Sequence, residues 1–247
     1  VDMNTSRQKL VEMAECVLGG LEDGYLEYEG EIINQPRRDI RPAPQHSFKG
    51  RTYAAAVSPE SMPIMAKLGV GLLIIPQKPW DVVENDFKIY TEVYEAENGM
   101  APPPPLCGGF CFVDESADRA EEMAYRYIGG YYGTVLKHYE FAKAAHDGVK
   151  GYEFYTNITK YIDRHGSGGA AEDFVKLMPW GTPEQVLEKL EVIKGKVDMA
   201  AFFPNFVYAG MAYDEGRRNM NLFVDQVMPE LKSWEAPPIG LQPAMTG

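Results

Sequence analysis

Short, nearly unbroken apolar runs alternate along this chain with longer segments of helical periodicity, and no other feature narrows its fold so far. The runs fall at residues 51–57, 71–75, 106–113 and 199–204. Each has the length of one strand. They lack the polar alternation of a half-exposed strand, so they suit strands covered on both faces, as in a parallel sheet. Apolar residues recur at helical spacing over residues 5–21, 59–68, 80–96, about 117–145, 183–196 and about 214–231. Strands that alternate with helices join through right-handed crossovers in an α/β fold. A closed (β/α)8 barrel needs eight strands, and four are legible here. The expectation is the C-terminal part of a (β/α)8 TIM barrel: about four parallel strands with flanking helices, the N-terminal strands missing. A small open doubly wound sheet is the alternative.

Local signals mark the joints. Ser58-Pro59 reads as an N-cap followed by proline at the first helical position. Thr182-Pro183-Glu184-Gln185 reads as a capping box. Gly129-Gly130 predicts a kink or break in the long fourth helix. Residues 29–49 read as a long polar connection containing Arg41-Pro42-Ala43-Pro44, and Ala101-Pro-Pro-Pro-Pro105 as a stiff one. Residues 146–177 carry Gly166-Ser-Gly-Gly169 and read as an irregular loop insertion within a single domain, 1–247. Loops of that length are commonly functional or mobile, and this one is expected to act as a lid.

Charge and cysteine usage exclude several function classes. Lys and Arg number 24 against 36 Asp and Glu, a net charge of −12. That balance opposes binding to nucleic acid or to an anionic membrane surface. The longest clean apolar run, residues 69–76, is far shorter than the roughly 20 residues that span a bilayer. The start, Val-Asp-Met-Asn-Thr-Ser-Arg, has no signal-peptide pattern; beginning with a helix and lacking an initiator Met, it suggests a truncated chain. Three cysteines, Cys16, Cys107 and Cys111, make no disulfide framework and point to a reducing, cytoplasmic setting. Cys107 and Cys111 read as small buried hydrophobes. His46, His138, His146 and His165 form no metal-ligand spacing, so no metal site is expected.

Ligands of parallel α/β folds bind beyond the carboxyl ends of the strands. At one such point lie Ser58 and Ser61, one turn apart where a strand gives way to a helix. Free N–H groups and two hydroxyls there could cradle a phosphate. An ordinary Ser-Pro cap is the plainer reading of the same residues. Arg7, in the first turn of the first helix, would point to the same end of the sheet and could neutralise phosphate, or could be a surface arginine. Tyr152 and Tyr155 could line a pocket for an apolar ligand. No P-loop, GxGxxG or GxSxG motif occurs.

Taken in order, several segments resemble the bacterial luciferase-like flavin-dependent monooxygenases. They are Asp2-Met-Asn-Thr-Ser-Arg7, Arg41-Pro-Ala-Pro44, Ala54-Ala-Ala-Val-Ser-Pro-Glu-Ser61, Ala66-Lys-Leu-Gly69, Gly181-Thr-Pro-Glu-Gln185 and Phe223-Val-Asp-Gln-Val-Met-Pro-Glu-Leu231. The resemblance implies a barrel that binds reduced FMN (FMNH2), with residues matching Arg7, Ser58 and Ser61 on the FMN phosphate. Val57 departs from the acidic residue that luciferase α chains place there. The resemblance further implies a two-component monooxygenase. A separate flavin reductase supplies FMNH2, and a C4a-(hydro)peroxyflavin inserts oxygen from O2 into a small apolar aldehyde, ketone or hydrocarbon-type substrate. Catalytic residues are expected in the missing N-terminal part, so this chain alone is expected to be inactive and the full-length form a homo-oligomer. Hydride transfer with the deazaflavin F420 is one alternative; a non-catalytic flavin-binding relative is another.

Overall fold

The four apolar runs become four strands of one parallel sheet. A computed structural model describes residues 3–138, 148–149 and 152–239. Its elements, in order, begin with α1 (Met3–Asp23), β1 (Tyr25–Glu29), β2 (Asn34–Asp39) and β3 (Tyr53–Ala55). A 3-10 turn (Pro59–Ser61) leads into α2 (Met62–Lys67), then β4 (Gly71–Ile74), α3 (Trp80–Asn98), β5 (Leu106–Phe110) and β6 (Phe112–Val113). The chain continues through α4 (Ala117–His138), α5 (Glu153–Lys176), β7 (Trp180–Gly181), α6 (Pro183–Val197) and β8 (Ala201–Asn205). It closes with α7 (Tyr213–Leu222), a π turn (Phe223–Val227) and α8 (Met228–Ser233). The sheet order is β3-β4-β5-β8. All three pairings are parallel, with Tyr53 opposite Gly71, Leu73 opposite Leu106, and Leu106 opposite Ala201. This is the expected α/β arrangement of four parallel strands with flanking helices. Among the described residues, no helix is long and apolar enough to cross a membrane.

Strand alternation divides the core in two. Cys107, Cys111 and Val113 join a cluster with α2, α3 and α6, while Phe110 and Phe112 join another with α4 and α5. All three cysteines are buried and free. The apolar run over 106–113 is interrupted at Cys111, where β5 ends and β6 turns to pair with β7. Fully buried Asn219 of α7 fills the break. Its Oδ1 accepts from the Val113 N–H at 2.8 Å, and its Nδ2 donates to the Cys111 carbonyl at 2.8 Å. One side-chain amide thus stands in for the peptide of a neighbouring strand.

Several expectations need correction. The polar stretch 29–49 holds part of an antiparallel hairpin, β1–β2. Most of its residues are exposed or half-buried, so no apolar alternation announces it. Its turn is held instead by Glu12 of α1, whose carboxylate accepts from the N–H groups of Ile33 (2.7 Å) and Ile32 (2.9 Å). Helix α4 runs through Gly129-Gly130 without a break. Its tertiary packing, through Ala124, Ile128 and Tyr132, outweighs the glycine penalty. Most of the span 146–177, read as an irregular loop, is helical. Residues 146, 147, 150 and 151 lie outside the described residues, and from Glu153 to Lys176 the chain is helical. Gly166, with φ 75° and ψ 161°, breaks α5 into two arms. A Tyr161–Asp173 hydrogen bond joins them. In a straight helix those residues would stand about 18 Å apart, so the arms fold back on one another. The capping box at Thr182 forms as read, with both its hydrogen bonds.

Candidate ligand site at the strand carboxyl ends

Beyond the carboxyl end of β3 the chain makes the tight turn Ser58-Pro59-Glu60-Ser61. Ser58 is 1% exposed. It occupies the N-cap position of the 3-10 turn, yet its side chain makes no capping hydrogen bond. The plain capping reading therefore does not account for its hydroxyl. Ser58 Oγ instead lies 2.8 Å from Ser61 Oγ and accepts from Arg7 Nη2 at 3.4 Å. Residues 51 positions apart in sequence meet because α1 and the β3–α2 turn reach the same end of the sheet. The helix that follows the turn is only six residues long. Side chains, more than a helix dipole, must therefore supply the attraction for an anion.

Three further features surround this cradle. Tyr152 stands over Arg7, with the guanidinium carbon 4.8 Å from the ring centroid, and its hydroxyl shares a 2.6 Å hydrogen bond with Ser6 Oγ. Among the described residues Glu60 Oε2 is buried without a hydrogen-bond partner. From the next βα unit, Lys78 sends its ammonium back to the Val57 carbonyl at 2.8 Å and pairs with Asp86 of α3. Both members of that pair are nearly buried, at 10% and 9% side-chain exposure.

Next to Lys78 opens a cavity of about 550 Å3, walled by Tyr132 of α4 and by Phe154, Ile158, Phe174 and Leu177 from α5 and its end. Its lining is mostly aromatic and aliphatic. The size and character suit a small apolar ligand with few polar anchors. Tyr152, read from the sequence as a pocket residue, stands on Arg7, and its ring lies 5.9 Å from that of Tyr155.

The structure thus brings Arg7, Ser58 and Ser61 together, as the sequence reading expected. His138 and His165 each contact a carbonyl one helical turn back, and His146 lies outside the described residues. Lys78, Asp86 and Glu60 were missed. Lys78 could have been suspected, because it follows an apolar run at the strand end, as Ser58 does. Its pairing with Asp86 and Val57 is a tertiary contact that no local pattern reveals.

Two hydroxyls and a guanidinium lie together here, a donor set of the kind that a phosphate group takes.

A family model for luciferase-like monooxygenases matches residues 1–197. The alkanal monooxygenase alpha chain of Photorhabdus luminescens is 23% identical over 243 residues, covering 94% of this chain and 65% of its own. The chain therefore spans just under two thirds of that relative. Among solved structures, a type II Baeyer–Villiger monooxygenase, the oxygenating constituent of 3,6-diketocamphane monooxygenase from Pseudomonas putida in complex with FMN, superposes with a TM-score of 0.56. It is 16% identical, covering 91% of this chain and 62% of that one. The coenzyme F420-dependent tetrahydromethanopterin reductase of Methanopyrus kandleri superposes with a TM-score of 0.53 at 16% identity, covering 92% and 63%. The parallel sheet and its flanking helices match the architecture of these TIM-barrel enzymes over part of their length.

Proposed function

Because the chain belongs to the luciferase-like monooxygenase family, we propose that it carries the cofactor-phosphate side of a reduced-flavin-dependent monooxygenase, with FMN as cofactor. The observation that carries this reading is the Ser58 hydroxyl, which is buried, does not cap its own turn, and meets Ser61 and Arg7. Arg7 supplies charge, and the serines supply hydroxyls that can donate to phosphate oxygens. Reduced flavin, when bound, supplies the electrons that activate O2. The protein's own residues bind, orient and exclude water. The apolar walls from α4 and α5 would hold an organic substrate and keep water from it. An alkanal is the first substrate to try, because the Photorhabdus relative is named for it. A flavin reductase would be the partner that renews the cofactor, and the full-length protein would assemble as a homo-oligomer.

Anaerobic calorimetric titration with FMNH2 tests the reading. Saturable binding is expected, weakened roughly ten- to a hundredfold in Arg7→Ala and in Ser58→Ala, as for loss of a charge-assisted hydrogen bond. Unchanged affinity in both variants would sink it. The likeness to the F420-dependent reductase supports a second reading, hydride transfer with that deazaflavin. Its phosphate would take the same cradle, and the absorption spectrum of the retained cofactor separates the two.

A further inference from the structure

The geometry points to the Lys78–Asp86 pair as a positioning device for the anion cradle, an inference that rests on the flavin-phosphate reading above. A lysine ammonium has three N–H donors. In Lys78 one meets the Asp86 carboxylate and one meets the Val57 carbonyl at 2.8 Å. The Val57 carbonyl belongs to the peptide that enters Ser58, so this contact ties the start of the Ser58 turn to α3 through Asp86. Phe154 packs over the same ammonium, with its ring centroid 5.0 Å from Nζ.

Within the Ser58 turn the Ser61 N–H donates to the Ser58 carbonyl at 2.9 Å and the two hydroxyls meet at 2.8 Å; these bonds close the turn on itself and leave its orientation to contacts from outside. Its serine side chains are turned away from capping, and the helix behind it is one and a half turns long. The buried pair provides the restraint from outside. An ion pair this little exposed is weak evidence for stability, since apolar replacements of similar volume are often tolerated. What it does supply is direction, because with one N–H held by the Asp86 carboxylate a second is aimed at the Val57 carbonyl. The pair thereby sets the angle at which Ser58 Oγ meets Ser61, Arg7 and a bound phosphate. Lys78 and Asp86 act through Ser58 and are positioning residues, not ligands of the anion.

The test compares FMN with riboflavin, which lacks the phosphate, by quenching of flavin fluorescence on the full chain. The variants are Lys78→Met and the double variant Lys78→Met/Asp86→Leu, which removes both charges and leaves no buried carboxylate unpaired. The expected result is an FMN Kd raised about tenfold with the riboflavin Kd unchanged, so that the preference for FMN collapses. The double variant should keep the wild-type Tm while losing the same preference. A parallel loss for both flavins, or an unchanged FMN Kd in the folded double variant, would overturn the inference. Inorganic phosphate is the second probe. If the wild-type chain binds neither flavin, the flavin reading fails, and the positioning role is read from the rise in Tm that phosphate produces. A rise present in the wild type and lost in the double variant supports the role. An equal rise in both, or none in the wild type, overturns it.

Discussion

At the scale of single residues, the environment of a side chain decides more than its type. Ser58 is a serine before a proline, the commonest of caps, yet its hydroxyl faces Arg7 and Ser61. Lys189 shows the same effect in a titration. It lies on α6 with Nζ 3.6 Å from the centroid of the Trp180 ring and donates to the Trp180 carbonyl at 2.7 Å. Burial pushes its amine down from near 10.5 to about 8. Between those two values the unfolded chain holds a proton that the folded chain has released, so stability from this group rises with pH across the window. Lys189→Met should therefore raise Tm at pH 7 and flatten the increase towards pH 10, as thermal melts at the two pH values will show. Parallel melting curves for variant and wild type would contradict the assignment.

At the scale of elements, two devices hold the architecture where ordinary ladders stop. Asn219 replaces a strand peptide at the Cys111 break, and its three hydrogen bonds reach Val113, Cys111 and Phe206. Asn219→Leu takes the acceptor from the buried Val113 N–H, while the Cys111 carbonyl keeps the Tyr208 hydroxyl, and should cost about 2 kcal/mol in urea denaturation. A loss below about 1 kcal/mol would mean that water or a relaxed backbone replaces the amide. Beside it, Asp114 at the end of β6 pairs with Arg119 of α4 and Arg218 of α7, and both arginines also reach Glu215. This network fastens α4 to α7. In α5 the fold-back depends on Gly166, whose φ of 75° with ψ of 161° belongs to a region open essentially to glycine. A Cβ there would meet nothing within 4 Å, so the cost of Gly166→Ala is purely that of the backbone, about 1–3 kcal/mol. The expected outcome is a lowered Tm together with a longer distance between spin labels at the exposed neighbours Lys160 and Glu172, which leave Tyr161 and Asp173 in place. An unchanged distance would show that the Tyr161–Asp173 contact, not the glycine, sets the hairpin.

At the scale of the whole molecule, the sheet has β3 and β8 at its edges, and β8 presents Phe203 at 53% exposure. An edge strand with an exposed aromatic side chain invites pairing with another chain. Phe203→Lys should reduce concentration-dependent light scattering while moving Tm little, since the ring packs weakly. Scattering that persists unchanged would place the association elsewhere. The strand carboxyl ends, by contrast, bring the Arg7 guanidinium beside the Ser58 and Ser61 hydroxyls, the proposed anion site on a chain of net charge −12.

How much of this was legible before any coordinates follows from the range of each interaction. Periodicity is a local property, so the four strands, their parallel pairing class and most helices could be read from runs of apolar residues. The Thr182 capping box spans four residues and was equally visible. The cradle was legible in part: Ser58 and Ser61 share one turn, and Arg7 joined them through resemblance to a family more than through any local signal. The β1–β2 hairpin was hidden because its stability comes from Glu12 on another element, not from its own alternation. The α5 fold-back was hidden because Gly166 reads equally well as loop or hinge until Asp173 meets Tyr161. The Lys78–Asp86–Val57 link and the Asn219 bridge arise from chain segments that meet only once the sheet is assembled. Hydrophobic patterning, which acts between near neighbours, specified the elements. The choice of partner for each buried polar group waited on packing, because desolvation forces such a group to find whichever counterpart the fold brings within reach.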